Sequence, residues 1–228
     1  MNHMNLKILF KYPSRGRRDR FIEGMNSILS NINNTDDYHI LVSADMDDPD
    51  MNYEIDYPNT KVVYGKSFSK IHAVNRDIEQ ADDWDIIVVM SDDMRFAFKG
   101  FDNIIRGQFQ DGNLDKLIHI PDQDAKGILA TMYIAGKDYY NRFGFVYDPQ
   151  FKSVFCDNLV QDVAKRLEKY YYLPLPGIII HLNPAYGHLP KDQMFLEQQG
   201  YWEHDSNIYN HIINNGIDNY IDNFITNE

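Results

Sequence analysis

Short apolar runs bounded by polar clusters organise this chain. Leu6-Lys7-Ile8-Leu9-Phe10 gives way to Pro13-Ser14-Arg15-Gly16-Arg17-Arg18, a turn-forming basic stretch, so the pattern predicts a buried strand feeding a loop. Phe21, Met25, Ile28, Leu29 and Ile32 then recur at helical spacing, and the polar run from Asn33 to Asp37 stops that helix. Residues 38–44 predict a second strand, ending in Asp45-Met46-Asp47-Asp48-Pro49. Residues 60–65 predict a third, and Ser69 is placed to cap a helix over 70–79. Residues 85–90 are apolar on both faces, as the central strands of parallel sheets are, and they end at Ser91-Asp92-Asp93-Met94.

Residues 1–100 therefore alternate strand and helix at short intervals, which implies a parallel sheet with helices packed on it. Ligands of such sheets bind beyond the carboxyl ends of the strands. The polar loops after Tyr12, Ala44 and Met90 all follow predicted strands, so the topology should gather them at one sheet edge.

Beyond residue 100 the pattern loosens. Residues 117–121 and 130–135 predict strands, 138–143 a short helix closed by Gly144, and 157–171 a helix through Leu159, Val163, Ala164 and Leu167. Residues 177–182 predict a buried strand with His181 near its end. Helices are expected over 192–199 and 205–213, followed by a loosely held tail rich in Asn, Ile and Asp. Neither an internal repeat nor a linker divides the sequence, so residues 1–228 read as one domain.

Composition narrows the function. The 228 residues suffice for one buried core, and an aromatic share of 14% is far from the aromatic-poor composition of disordered chains. A net charge of −12 repels phosphate backbones and argues against nucleic-acid binding. It leaves room for a small phosphorylated ligand, because a divalent metal can bridge carboxylates to phosphate oxygens. Cys156 is the single cysteine, so no intrachain disulfide forms and a reducing compartment is expected. The first residues lack a signal-peptide pattern, and no apolar run approaches the roughly 20 residues of a membrane helix. The expectation is a cytoplasmic protein without an integral membrane segment.

Five segments carry candidate chemistry. Ser91-Asp92-Asp93 sets adjacent carboxylates directly after a buried strand, which is costly unless a cation, a ligand or a helix start pairs with them. One of the two can hold metal while its neighbour meets a ribose hydroxyl. The basic loop from Pro13 to Arg18 can grip phosphate or stack on a base, or is simply a solvated turn. Asp45 is placed to accept hydrogen bonds from a nucleobase or ribose, whereas Asp48-Pro49 reads as a surface turn. Asp157, at a helix start, is either an N-cap or a general base. His181 ends an apolar strand as a core residue or a metal ligand; its distance from His188 rules out a single-helix zinc motif.

Taken in order, these pieces resemble the GT-A glycosyltransferases, especially the inverting family-2-like enzymes. The resemblance runs from about Lys7 to Asp192. It rests on Tyr12-Pro13-Ser14-Arg15, on Val42-Ser43-Ala44-Asp45, on Gly65-Lys66 with Lys70-Ile71-His72-Ala73-Val74-Asn75-Arg76, and on Val88-Val89-Met90-Ser91-Asp92-Asp93. The last of these looks like a DXD metal motif in which Ser91 replaces the first acid. The stretch from Tyr139 to Gly144 and Cys156-Asp157-Asn158 look like the acceptor side, with Cys156 in place of one member of an acidic pair.

The resemblance implies an α/β fold of GT-A type, a Rossmann-like α/β/α sandwich around a mostly parallel sheet. Residues 1–100 would form the nucleotide-sugar-binding half, and 101–228 the acceptor half with the C-terminal helices. It implies Mn²⁺ or Mg²⁺ on Asp93, with His181 or His188 as a further ligand. Pro13, Ser14, Arg15, Asp45, Lys70, Asn75 and Asp92 would line the nucleotide-sugar, and Asp157 or else Asp162 would be the base. The partners implied are a nucleotide-sugar, by analogy a UDP-sugar, and a glycan, lipid-linked or small-molecule acceptor. Two other classes fit parts of the pattern. A nucleotidyltransferase would carry a glycine-rich loop after strand one, where this chain has only Gly16. A non-catalytic carbohydrate- or nucleotide-binding domain of the same fold is compatible with the altered metal motif.

Overall fold

The computed structural model describes residues 5–123 and 128–225. A seven-stranded sheet crosses it in the order β3 (Thr60–Gly65), β2 (Tyr38–Asp45), β1 (Ile8–Ser14), β4 (Ile86–Val89), β7 (Ile134–Gly136), β6 (Leu117–His119) and β8 (Tyr170–Tyr172). The first four are mutually parallel. β7 runs antiparallel to β4 and β6, and β8 returns parallel to β6. A separate two-stranded sheet pairs β5 (Met94–Phe96) with β9 (Ile179–His181).

Alternation along β1 explains the layering. Ile8, Phe10 and Tyr12 join an apolar cluster with Phe21, Met25 and Ile28 of α1 (Arg18–Asn31) and with Phe101 and Ile105 of α3 (Phe101–Gly107). Leu9 enters the opposite cluster, with Ile71 and Val74 of α2 (Lys70–Asn75) and Leu159 and Val163 of α5 (Cys156–Arg166). The sheet is thus covered on both faces, as a parallel sheet requires. A short α4 (Lys137–Asn141) follows β7, and α6 (Gln193–Gln199), α7 (Trp202–Asn215) and α8 (Ile217–Ile225) close the chain. No helix among the described residues is long and apolar enough to cross a membrane.

Several elements depart from the sequence expectation for identifiable reasons. β1 continues through Pro13 to Ser14, because β4 pairs only as far as Lys11 and the missing proline N–H faces no ladder on that side. The helix expected over 70–79 stops at Asn75: Arg76 is extended and Asp77 is left-handed (φ 71°). Both side chains turn inward instead. Arg76 donates to Ala44 O and to Asp77, and Asp77 accepts from Ser43 Oγ, which in turn meets the buried Lys11 ammonium. The helix expected over 157–171 ends at Arg166; Glu168 takes a left-handed turn (φ 59°) and the three tyrosines that follow form β8. Of residues 130–135 only the last two enter β7. The 177–182 run contributes β9 to the small sheet rather than to the main one. The tail expected to be loose forms α8, anchored by the buried Ile221, with 226–228 outside the described residues.

Candidate active site

The carboxyl ends of β1, β2 and β4 open on a cavity of about 290 Å³. Pro13, Ser14 and Arg15 line it from β1 and its loop, Asp45 from β2, and Ser91 and Asp92 from the turn after β4. Lys70, the first residue of α2, closes one side; Met194 and Gln198 of α6 close another. Arg15 Nη1 reaches Asp45 Oδ2 at 2.6 Å, so these two residues form one polar corner. Two buried carboxylate oxygens in this cavity, Asp45 Oδ1 and Asp92 Oδ1, lack a hydrogen-bond partner. Buried acceptors of this kind normally have a donor; Arg76 Nη2 stands 3.7 Å from Asp45 Oδ1, an ion pair too long for a hydrogen bond, so both oxygens can still accept one.

A second cavity, of about 500 Å³, adjoins the first. Arg17, Lys70, Ser91 and Asp157 line both, so Asp157 stands at the seam. Asp157 is in the first turn of α5 but does not act as its N-cap; that position is Phe155, held left-handed at φ 60°. Such a backbone is costly for a bulky residue and tends to be kept where it aims a functional group. Burial raises the Asp157 carboxyl above its ordinary pKa, which favours proton uptake by this group. Asp162 faces away and accepts from Tyr209 Oη at 2.6 Å. Asn75 does not reach either cavity: its amide donates to Tyr147 O and accepts from the backbone of Val146 and Tyr147.

The turn after β4 is tightly held. Arg95 donates to Asp92 O and Met94 O, Met94 N to Ser91 O, and Leu182 N to Asp93 O. Pairing of β5 with β9 sets His181 opposite Met94, which brings His181 Nε2 to 3.7 Å from Asp93 Oδ2. Asp122 holds the other ring nitrogen, Nδ1, at 2.9 Å. Burial opposes charge on His181, but Asp122 and Asp93 outweigh it and push its pKa up to about 9. Burial likewise opposes charge on Asp93, yet His181 holds that carboxyl well below the usual range. Burial pushes neighbouring Asp92 the other way, to about 7.

This geometry fits a shared cation. With Nδ1–H given to Asp122, Nε2 points at the Asp93 carboxylate: the raised pKa keeps a proton there, and a metal that displaced the proton would find the Nε2 lone pair and the carboxylate side by side. An imidazole nitrogen and a carboxylate oxygen, with the imidazole fixed by a second carboxylate, form a familiar donor set for a divalent ion. Among the described residues no group of three His, Cys, Asp or Glu side chains converges on one point. A metal held by Asp93 and His181 would thus draw its remaining ligands from bound substrate and water. His188 is exposed and is not among the residues lining either cavity.

No known protein family matches the sequence, and no curated protein matches it. Solved structures do. The mannosyltransferase PcManGT from Pyrobaculum calidifontis, in complex with GDP-Man and Mn²⁺, superposes with a TM-score of 0.61 at 12% identity, over 80% of this chain and 59% of that one. S. aureus TarS in complex with UDP-GlcNAc gives 0.59 at 14% identity, over 77% and 58%. The glucosyl-3-phosphoglycerate synthase of Mycobacterium tuberculosis, with Mn²⁺, UDP-Glc and phosphoglyceric acid, gives 0.59 at 14%, over 86% and 80%. The fold is that of the GT-A glycosyltransferases.

Several residues of this site have no local signature in the sequence. Arg17, in the basic loop, forms a two-pronged ion pair with Asp192 at 2.7 and 2.8 Å, joined by Arg20 at 2.8 Å. Asp192 also caps α6 through Phe195 N, so the pair fastens α6 against the first cavity. Asp48 belongs to the scaffold, accepting from Gly16 N at 2.6 Å and from Asp50 N. Asp205, fully buried on α7, accepts from the backbone of Lys152, Ser153 and Val154 just ahead of Asp157. Its one visible signal is an acidic residue in the first turn of a predicted helix, which is too common to be informative.

Proposed function

We propose that the chain is a metal-dependent glycosyltransferase that moves a sugar from a nucleoside-diphosphate sugar, a UDP-sugar by preference, to an acceptor hydroxyl with inversion. The observation that carries this reading is the pair of buried oxygens without a hydrogen bond, Asp45 Oδ1 and Asp92 Oδ1, in a cavity at the strand ends of a GT-A fold. Base N–H and ribose O–H groups are the donors such oxygens would take. Solved neighbours of this fold hold GDP-Man or UDP-Glc with Mn²⁺, and UDP-GlcNAc.

In this reading residues 1–228 work as one domain, the first hundred residues binding the donor and the rest the acceptor. Pro13, Ser14 and Arg15 flank the nucleotide, Asp45 and Asp92 accept from it, and Asp93 with His181 would hold Mg²⁺ or Mn²⁺. The ion, when bound, supplies Lewis-acid stabilisation of the diphosphate leaving group. Lys70, which lines both cavities, adds positive charge where the diphosphate departs, while Arg17, paired with Asp192, keeps α6 in place beside it. Asp157 takes the acceptor hydroxyl proton as the acceptor oxygen attacks the anomeric carbon and the carbon–phosphate-oxygen bond breaks. The expected setting is the cytoplasm.

Calorimetric titration with UDP, with and without Mn²⁺, tests the donor half. Metal-dependent binding should appear in the parent protein and fall at least about tenfold in Asp93→Ala, a loss of about 1.4 kcal/mol. Failure of every nucleoside diphosphate to bind would end the reading. Asp157→Asn should lower transfer by about a hundredfold or more while UDP affinity stays within about twofold. Full turnover in that variant would remove Asp157 as the base.

A further inference from the structure

The second cavity allows a closer statement about the acceptor. Its charged lining residues fall into two groups. Arg17, Lys70 and Asp157 form the seam shared with the first cavity, and Asp93, Asp122 and His181 form the carboxylate–imidazole set. Every other described residue lining it is uncharged. Among them are the aromatic rings of Phe155, Tyr186 and Trp202 and the carboxamides of Asn158, Asn183 and Gln199.

Two of those rings are open to solvent: Tyr186 is 61% and Trp202 54% exposed. Trp202 is not loose, because its ring stands edge-on to Phe155 at 4.8 Å between centroids. Phe155 in turn stacks on Tyr209 at 5.7 Å. A large aromatic surface is therefore propped in a fixed position at a cavity wall one residue position from the Cys156-Asp157 helix start. The amides of Asn158 and Gln199 make no hydrogen bond within the protein among the described residues.

Flat rings with negative faces beside unengaged carboxamides suit one ligand chemistry well. A pyranose presents a face of C–H groups with slight positive charge and a rim of hydroxyls that both donate and accept. The cation that Asp93 and His181 would hold is taken up by the donor diphosphate in this reading, so an anionic acceptor would meet the Asp122 and Asp157 carboxylates with no further Lys or Arg beyond the seam among the described lining residues. A purely aliphatic acceptor would strip water from the part-buried Asn158 and exposed Gln199 carboxamides and return no hydrogen bond.

We propose that this cavity is a subsite for a neutral saccharide acceptor, with Trp202 and Tyr186 as its stacking platform and Asn158 and Gln199 reading hydroxyls. This rests on the transferase reading, in which Asp157 deprotonates the hydroxyl delivered at the seam. Substrate recognition would then be divided: charged groups serve the donor and the proton transfer at the seam, and uncharged groups bind the rest of the acceptor.

The chain's two tryptophans make the test direct, since Trp84 is buried and Trp202 is exposed. Titration of the whole protein with methyl glucoside, methyl galactoside, methyl mannoside, methyl N-acetylglucosaminide, maltose, cellobiose and lactose should show saturable quenching of Trp202 fluorescence with at least one of them. Saturation-transfer NMR with that sugar should show affinity at least tenfold weaker in Trp202→Ala and in Tyr186→Ala, but largely kept in Trp202→Phe. Circular dichroism checks that each variant is folded. A blank across the panel, tighter binding of 3-phosphoglycerate than of any sugar, or unchanged affinity in folded Trp202→Ala would each overturn the proposal. UDP titration with Mn²⁺ separates the two claims. Sugar binding without UDP binding would uphold the subsite and sink the donor reading; UDP binding with a blank sugar panel would do the reverse.

Discussion

Asp205 offers a quantitative test of how the candidate base is positioned. The carboxylate has no solvent exposure and accepts from Lys152 N at 3.0 Å and from Ser153 N and Val154 N at 2.8 Å. Truncation to Ala leaves three backbone donors without that partner. The Ser153 bond is buried, so its loss costs the full desolvation penalty of about 1–3 kcal/mol, while the part-buried Lys152 and Val154 amides can recover water and cost about 0.5–1 kcal/mol each. Asp205→Ala should therefore lose about 3 kcal/mol and melt about 6–12 °C lower. Asp205→Asn can keep its carbonyl oxygen on Ser153 and Val154 and turn its amide toward His204 Nδ1, which now sits 2.8 Å from Oδ1. It should lose about 1 kcal/mol, or about 2–4 °C. Differential scanning calorimetry gives the ordering. The 152–154 segment leads into Phe155 and Asp157, so the Asn variant should also lower turnover more than it weakens UDP binding. An Ala variant melting within about 2 °C of the parent would refute the reasoning, since three unpartnered amides must then cost almost nothing.

Lys11 links stability to pH. Burial lowers its pKa from the ordinary 10.5 to about 7. Between those values the unfolded chain holds a proton that the folded chain does not, so this group makes stability rise with pH from about 7 toward 10.5, and its full penalty is felt below 7. Lys11→Met should melt higher than the parent at pH 7, with the gap narrowing by about pH 10; a constant gap in thermal melts across that range would contradict the assignment. At Gly136, an added Cβ would sit 2.1 Å from the backbone oxygen of Leu114, which no side-chain rotation relieves. Gly136→Ala should cost about 2 kcal/mol or more through displacement of β7, and a melting temperature unchanged within about 2 °C would show that the 114 loop yields freely.

The parts of this protein legible in its sequence are those set by local burial. Residues 86–89 are strand and buried on both faces because an apolar run without period can only lie between two helix layers. Once β1, β2 and β4 are parallel strands joined by crossover segments, their carboxyl ends must fall on one edge, and the loops at Ser14, Asp45 and Ser91 must meet there. The place of the first cavity follows from connectivity alone. Hydrophobic period also gave α1 and the core of α5.

What the tertiary structure decided is which polar groups face each other. His181 stands by Asp93 only because β5 and β9 pair with Met94 opposite His181, in a small sheet that no pattern in the 177–182 run announces. Arg17 finds Asp192 across 175 positions of chain. The rotation of α5, fixed where Tyr209 takes Asp162, turns Asp157 and not Asp162 toward the cavities. Asn75 is spent on the 146–147 backbone, and α2 ends early because Arg76 and Asp77 are drawn into a buried network with Lys11 and Ser43. Burial is a property of a residue and its near neighbours, so periodicity records it. Charge pairing is a property of two distant residues, and only the packed chain brings them within reach of each other.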